Sequence, residues 1–324
     1  MKYREIKSDL KSKRKVLEIE KPVRWSFMKI LREYSTLKQF YPEINPYAEV
    51  YQFRDNLYCI YTESLDGAGD PWMYLIDGPK KCMLIDTGFG VGDLKGLIKQ
   101  LVGDKPIIVA NTHSHFDHAY GNCQFDTCYC HVNEVPRMKQ KNNAHIWDYL
   151  FDENGICKWT EFDRADIVPY HEYEIIGIED GHLFDLGDGY QVEAVLLPGH
   201  TPGQCGYYDH HNHTIFIGDM TGIATAIPKE PYAEYCTVLA MNTALKKLQP
   251  RFEEIEGVFP GHGMLDQSSL MLQYLLDATE AILKDPYCCD LNKEITVAKG
   301  ERKTVMMKYV YQGTGIKYTL QNVR

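Results

Sequence analysis

The feature that most constrains this chain is the stretch at residues 112–118, Thr-His-Ser-His-Phe-Asp-His. It follows an apolar run at residues 107–110 that predicts a buried strand. Alternate side chains of an extended chain share one face, so His113 and His115 point the same way, and Asp117 with the histidine after it can reach a second point. Imidazole nitrogen and carboxylate oxygen bind divalent ions at about 2.0–2.2 Å. The stretch therefore offers donors for two metal ions; the alternative is a polar loop whose histidines only cap a strand and a helix.

Three more candidate donors follow, each at the end of an apolar run. His200 lies in Pro-Gly-His-Thr-Pro-Gly, Asp219 follows Ile-Gly, and His262 lies in Pro-Gly-His-Gly. Together with Leu-Ile-Asp-Thr-Gly at residues 84–88, this set resembles the signature of the metallo-β-lactamase fold superfamily of metal-dependent hydrolases. The resemblance runs from about residue 47 to about residue 263. It implies an α/β (α+β) fold, a four-layer αβ/βα sandwich of two mixed β-sheets flanked by helices.

The resemblance also implies a role for each donor, with two metal ions and one bridging carboxylate. The first ion is held by His113, His115 and His200. The second ion is held by Asp117, His118 and His262. The bridging residue is Asp219, beside a shared water. We expect two Zn ions and no organic cofactor, although the same nitrogen and oxygen donors accept Fe or Mn.

The expected chemistry follows from the metals. A bound divalent ion lowers the pKa of water from about 15.7 towards neutrality, which makes a metal-bridging hydroxide available as the nucleophile. By its position, Asp117 is expected to orient this water or carry its proton, a catalytic role. Asp86 is expected either to fix a ligand or loop by hydrogen bonding or only to cap a turn.

Single residues narrow the activity that the resemblance implies. His115 stands where di-iron flavoprotein relatives carry glutamate. True β-lactamases lack a bridging aspartate at the position of Asp219. Gly222 stands where quorum-sensing lactonases carry tyrosine, and Ser114 where glyoxalase II-like thioesterases carry histidine. The expected function is hydrolysis of a small-molecule ester, lactone or thioester, a lactonase-like activity. The alternatives are a phosphodiesterase or nuclease of the same fold, a β-lactam hydrolase, or a non-catalytic binding protein.

Composition bears on partners and compartment. The formal net charge of -10 argues against a nucleic-acid partner, which usually meets a basic face. No apolar run approaches the roughly 18 residues of a membrane span, so no membrane partner is expected. The ten cysteines are scattered without a short-spaced framework, which is typical of free thiols in a cytoplasmic protein. The expected partner is a small-molecule substrate.

We predict three regions along the chain. Residues 1–46 form an N-terminal extension with a helix between residues 25 and 40, residues 47–290 form the hydrolase domain, and residues 291–324 form a C-terminal β-hairpin extension. The hairpin is expected to cover a sheet edge or to join two copies in a homodimer. Residues 134–180, rich in Trp and Tyr, are interpreted as an inserted lid beside the metals or as a peripheral subdomain packed only on itself.

The remaining histidines are predicted to be structural. Three of them share the polar turn at residues 209–213, and the others are isolated in the sequence. They are His131, His145, His171, His182, His210, His211 and His213.

Overall fold

The structure is a computed structural model. It describes residues 3–4, 15–17, 32, 35–62, 71–158, 160–161, 164–223, 231–296, 302–311 and 314–324. The chain divides into two compact units. Unit 1 consists of Met1–Tyr129, Arg137–Ile176 and Leu186–Gly189. Unit 2 consists of Cys130–Pro136, Gly177–Asp185 and Tyr190–Arg324.

Unit 1 contains most of an eight-stranded mixed sheet. Near the N-terminus, the short strands β1 (Tyr3–Arg4) and β2 (Lys15–Leu17) form a separate small sheet with β10 (Thr160–Glu161). The strands of the large sheet are β3 (Lys38–Gln39), β4 (Ala48–Arg54), β5 (Leu57–Thr62), β6 (Trp72–Asp77), β7 (Cys82–Ile85), β8 (Ile107–Ala110), β9 (Thr127–His131) and β11 (Glu174–Ile178). Their order is β11-β9-β8-β7-β6-β5-β4-β3. Pairing is antiparallel from β3 to β7 and parallel from β7 through β8 to β9.

Helix α1 (Leu94–Val102) covers part of this sheet because its apolar side chains recur on one face. Leu94 and Leu97 are at most 2% exposed and share a core with Val109 of β8. Burial of one such leucine contributes about 1.5–3 kcal/mol. The side chain of Asp93 accepts a hydrogen bond from the N–H of Gly96 at 2.7 Å and so caps the start of the helix.

Two short helices follow strands of the large sheet along the chain, one after β8 and the other after β9. They are α2 (Phe116–Ala119) and α3 (Val135–Lys141). Short 3-10 helices occupy Tyr120–Gln124, Asp148–Leu150, Arg164–Asp166, Ala233–Tyr235, Gln249–Glu254 and Leu320–Asn322.

Unit 2 is built around a second mixed sheet. Its strands are β12 (Leu183–Gly187), β13 (Tyr190–Leu196), β14 (Cys205–Asp209), β15 (Thr214–Gly218) and β16 (Gly257–Pro260), in that spatial order. Strand β15 pairs antiparallel with β14 and parallel with β16. Helices α4 (Val238–Leu248) and α5 (Leu270–Lys284) supply buried residues to the core of this unit. The described strands and helices confirm the predicted class of mixed sheets with helices.

The C-terminal part of unit 2 forms a three-stranded antiparallel sheet. Its strands are β17 (Leu291–Thr296), β18 (Arg302–Tyr311) and β19 (Thr314–Tyr318). Ile316 and Tyr318 are 0% exposed and belong to the same core as α4 and α5. Strand β18 pairs antiparallel with β19 on one side and with β17 on the other. Among the described residues, no helix is both long and apolar enough to cross a membrane.

Three sequence predictions need correction. The predicted helix between residues 25 and 40 lies mostly outside the described residues, and its last part is wrong, because Lys38–Gln39 is strand β3, paired with β4. The region interpreted as an insertion, residues 134–180, is not all inserted. It contains strand β11, Glu174–Ile178, which is the edge strand of the large sheet. The alternative of a subdomain packed only on itself is also wrong, because Trp147 and Leu150 belong to the core of unit 1.

The thiols agree with the prediction. All ten cysteines are free, and Cys288 and Cys289 are the two that are not buried. Burial raises the pKa of Cys128 to about 12, so this thiol stays protonated at neutral pH.

His131 at the end of β9 predicts a pH dependence of stability. It is 4% exposed, and its Nδ1 accepts a hydrogen bond from the N–H of Asn133 at 3.2 Å. Burial lowers the pKa of His131, partly offset by neighbouring carboxylates. The unfolded chain therefore binds a proton that the folded chain resists, and stability falls as the pH drops below about 6.5. We expect the free energy of unfolding, measured with urea, to fall between pH 7 and pH 5, and to fall more for the wild type than for His131→Gln. Equal losses would contradict this role.

Candidate metal centre

The first candidate donors come from the loop between β8 and α2 in unit 1. His115 is the N-cap of α2, so Asp117 and His118 lie in the short helix and His113 in the loop before it. Nε2 of His113 lies 2.9 Å from Nδ1 of His115. Two imidazole nitrogens bound to one ion at about 2.0–2.1 Å are separated by roughly 2.9–3.4 Å. The pair is therefore spaced as two ligands of one ion.

Helix α2 presents the other two donors of this unit. Oδ2 of Asp117 lies 3.6 Å from Nε2 of His118. The exposed fractions of the two residues are 7% and 0%. A carboxylate and an imidazole, both almost removed from solvent, are a suitable pair of ligands for a second ion.

Asp86 fixes this loop from the end of β7. Its Oδ2 accepts hydrogen bonds from Nδ1 of His118 and from the hydroxyl of Thr112, both at 2.8 Å. Its Oδ1 accepts from the backbone N–H of Thr112 at 2.8 Å. The bond from His118 holds the proton on Nδ1 and leaves the lone pair of Nε2 for a metal. Asp86 has a φ of 61°, an uncommon conformation for a residue with a Cβ, which surrounding contacts must stabilise.

A buried polar network lies beneath His118. Nδ2 of Asn111 donates to the carbonyl of His118 at 3.1 Å, and Nδ2 of Asn122 donates to Oδ1 of Asn111 at 2.9 Å. The hydroxyl of Thr87 donates to Oδ1 of Asn122 at 2.8 Å. These three side chains are at most 2% exposed. These three residues were not predicted from the sequence. Their position beside apolar runs was a usable signal, because an amide buried there must find hydrogen-bond partners.

In unit 2, three donors lie at the ends of strands. Because β15 and β16 are parallel, the residues that follow them meet at the same edge of the sheet. Oδ2 of Asp219, after β15, lies 3.3 Å from Nε2 of His262, after β16. The same oxygen lies 3.6 Å from Nε2 of His200, in the turn after β13. One carboxylate oxygen thus faces two imidazole nitrogens.

Backbone and amide groups hold the His200 turn. Nδ1 of His200 donates to the carbonyl of Gly222 at 2.7 Å, which leaves Nε2 for a metal. Gln204, 0% exposed, accepts from the N–H of Asp219 at 3.1 Å and donates to the carbonyl of Leu197 at 3.1 Å. Oε1 of Glu134 accepts from the N–H of Gly203 at 2.9 Å. These supporting residues were not predicted from the sequence.

The donors fit a divalent ion. Each of the candidate His and Asp side chains described above belongs to a group of donors that could hold a metal ion. In unit 1 these are His113, His115, Asp117 and His118. In unit 2 they are His200, Asp219 and His262. Imidazole nitrogens with carboxylate oxygens suit Zn²⁺, and also Fe and Mn²⁺.

The histidines predicted to be structural belong to no such group within the described part of the chain. In the turn after β14, Nε2 of His210 contacts Oε2 of Glu193 at 2.9 Å, and the ring of His211 stacks on Tyr190 at 4.6 Å. The hydroxyl oxygen of Tyr208 lies 3.2 Å from Nδ1 of His213, within hydrogen-bond distance. The three histidines of this turn therefore contact neighbouring side chains.

Comparisons with known proteins agree on one family. Residues 66–266 match the family model of the metallo-beta-lactamase superfamily. Acyl-coenzyme A thioesterase MBLAC2 of Homo sapiens is 26% identical over 220 residues, which cover 64% of this chain and 78% of that protein. Hydroxyacylglutathione hydrolase GloC of Haemophilus influenzae is 26% identical over 195 residues, which cover 58% and 82%.

Solved structures agree on the fold. A metallo-beta-lactamase from Pontibacter korlensis has a TM-score of 0.51 at 17% identity and covers 72% of this chain and 99% of its own. The DIM-1 metallo-beta-lactamase has a TM-score of 0.51 at 16% identity and covers 72% of this chain and 97% of its own. At this identity the likeness concerns the fold and leaves the substrate open.

Proposed function

Because the chain belongs to the metallo-β-lactamase superfamily and is a metallo-hydrolase, we propose that it hydrolyses acyl thioesters of small molecules with a two-metal centre. Esters and lactones are further candidate substrates, because their hydrolysis also transfers an acyl group to water. The observation that carries the proposal is the single carboxylate oxygen of Asp219, which faces Nε2 of both His200 and His262. A carboxylate shared in this way is suited to bridge two cations and offset part of their repulsion.

We assign the metal ligands as the family resemblance implies. His113, His115 and His200 would hold one ion, and Asp117, His118 and His262 the other. Asp219 would bridge them. Zn²⁺ is the proposed ion because imidazole and carboxylate are its usual ligands in catalytic sites. When bound, such ions lower the pKa of water towards neutrality and polarise a carbonyl oxygen.

The remaining steps concern the residues of the chain. We assign to Asp117 the orientation of the attacking water and the acceptance of its proton, a role supported by its low exposure beside His118. A thioester suits this arrangement because the departing thiolate, whose thiol has a pKa of about 8.5, leaves without being protonated. MBLAC2 and GloC are both named as hydrolases of thioesters, which supports the same bond for this chain.

We propose that the substrate is a small molecule and not a nucleic acid. The formal net charge of -10 supports this choice, because nucleic-acid binding usually requires a basic surface. A nuclease of this fold would bind its substrate with a steep dependence on salt concentration.

The test is elemental analysis of the purified protein together with a substrate screen. An acyl-coenzyme A, a hydroxyacylglutathione, a simple ester, a lactone, a β-lactam and a phosphodiester are each assayed before chelation, after chelation and after Zn²⁺ is restored. We expect about two metals per chain, as a two-metal site requires, and thioester cleavage that chelation abolishes and Zn²⁺ restores. Phosphodiester or β-lactam cleavage without thioester cleavage would contradict the proposal.

A further inference from the structure

We infer that strand β19 positions His200 for metal binding by fixing the direction of the Gly222 carbonyl. This inference rests on the proposed function, because His200 is one of the proposed ligands. Strand β19, Thr314–Tyr318, lies beyond residues 66–266, which match the family model. The C-terminal extension would therefore complete a site whose ligands all lie within the family region.

A parallel bridge joins β19 to the segment after Asp219. Gly222 pairs with Lys317 in this bridge. The N–H of Ile223 donates to the carbonyl of Lys317 at 3.0 Å, and the N–H of Lys317 donates to the carbonyl of Thr221 at 3.3 Å. Residues on both sides of Gly222 are thus fixed to the edge of β19.

This bridge determines where the backbone groups of Gly222 point. Successive backbone groups of an extended segment point to opposite edges, so when the neighbours of Gly222 face β19, its own N–H and C=O face away. The N–H of Gly222 donates to the carbonyl of Asp219 at 3.1 Å. Its carbonyl accepts from Nδ1 of His200 at 2.7 Å. One edge of this short segment therefore bonds to β19, and the opposite edge bonds to His200.

The carbonyl of Gly222 selects the tautomer of His200. A backbone carbonyl accepts only, so Nδ1 must carry the proton and Nε2 keeps the lone pair that a metal requires. Nε2 is the atom that lies 3.6 Å from Oδ2 of Asp219. A displaced carbonyl would release the ring to adopt the other tautomer or to rotate. Partners of this kind typically change metal affinity about 10–100-fold when they are removed.

Side-chain packing also holds the segment that contains Gly222 and Ile223. Ile223 is 3% exposed and belongs to the same core as Ile316 and Tyr318 of β19. A Cβ built on Gly199, the residue before His200, would lie only 2.9 Å from Cδ1 of Ile223. The hydroxyl of Tyr318 donates to the carbonyl of Pro286 at 3.0 Å, which fixes β19 beside the end of α5. Side-chain packing therefore holds the segment after Asp219 against both β19 and the His200 turn.

Lys317→Pro tests the inference with a matched control. Proline removes the N–H that donates to Thr221, and because this N–H faces away from β18, the pairing of β18 with β19 keeps its hydrogen bonds. Lys317→Ala keeps the N–H and changes only an exposed side chain. We expect Lys317→Pro to weaken binding of one of the two Zn²⁺ ions about 10–100-fold in chelator competition. Lys317→Ala should bind as the wild type does.

A readout without metal separates positioning from loss of stability. In the metal-free protein, ¹⁵N shifts of the His200 ring should show the Nδ1–H tautomer in the wild type and Lys317→Ala, and a mixture of tautomers in folded Lys317→Pro. If Lys317→Pro does not fold, hydrogen exchange of the wild type decides, because the amides of Ile223 and Lys317 should open together. Wild-type tautomer and metal affinity in folded Lys317→Pro, or separate opening of the two amides, would overturn the inference. A wild type that binds no metal would instead overturn the proposed function.

Discussion

Asp219→Ala should lower the metal content of the protein and reduce turnover by more than the roughly 10–100-fold that loss of a partner around the ligands costs. The carboxylate oxygen that faces His200 and His262 is lost, so two dications would repel each other without an intervening negative charge. The fold should survive, because the bond from Asp219 to Gln204 uses the backbone N–H. Elemental analysis, turnover of a thioester and urea unfolding measure the three effects.

The matched control for this variant is His210→Ala. His210 is also an ionisable residue of unit 2 beside a carboxylate, Glu193, but it belongs to no possible metal-holding group among the described residues. We expect unchanged metal stoichiometry and turnover. Undiminished hydrolysis by a metal-replete Asp219→Ala protein would remove the bridging role, and loss of one metal equivalent in His210→Ala would show that its turn binds metal.

Asp86→Ala should destabilise the protein by several kcal/mol and weaken metal binding. Three buried donors, Nδ1 of His118 and the N–H and hydroxyl of Thr112, lose their acceptor. Each buried donor left without a partner costs about 1–3 kcal/mol. Alanine at a φ of 61° also lacks the side-chain hydrogen bonds that help aspartate to tolerate this backbone conformation. Without the hydrogen bond to Asp86, the His118 ring should bind metal about 10–100-fold more weakly.

Asp86→Asn separates these causes. Asparagine tolerates the left-handed backbone and retains one acceptor oxygen, so its loss of stability should be clearly smaller than that of alanine. Urea unfolding of the metal-free proteins gives the stability, and chelator competition gives the affinity. If Asp86→Ala unfolds at the wild-type urea concentration and keeps both metals, Asp86 only caps a turn.

The sequence predicted the candidate donors because two independent signals coincide at each of them. Each follows an apolar run that becomes a strand, and each is a residue type that binds divalent ions. In the structure Asp219 and His262 follow the parallel strands β15 and β16, so strand order alone brings them to one edge. The residue types and the strand ends were therefore sufficient to identify candidates, while their roles as ligands stay predictions.

Backbone partners and short strands could not be predicted. The carbonyl of Gly222 has no sequence signal, since every residue carries one, and its direction depends on β19 about 95 residues later. Strand β11 contains Glu-Ile-Ile-Gly-Ile, which lacks regular alternation, so pairing with β9 decides its structure. Strand β3 is only two residues long and depends on β4. The division into residues 1–46, 47–290 and 291–324, and the lid role of residues 134–180, stay predictions.

The buried network of Thr87, Asn111 and Asn122 has a thermodynamic consequence. In small zinc domains, metal binding and folding are a single event, and the free energy of coordination is used to order the chain. Here amide and hydroxyl groups already hold the backbone carbonyl of His118. The core of unit 1 gives that network its own support. Removal of metal should therefore leave the loop around His118 ordered. The ion bound in a cell would then depend on which metals are available and how fast they exchange, and not on which metal can fold the protein.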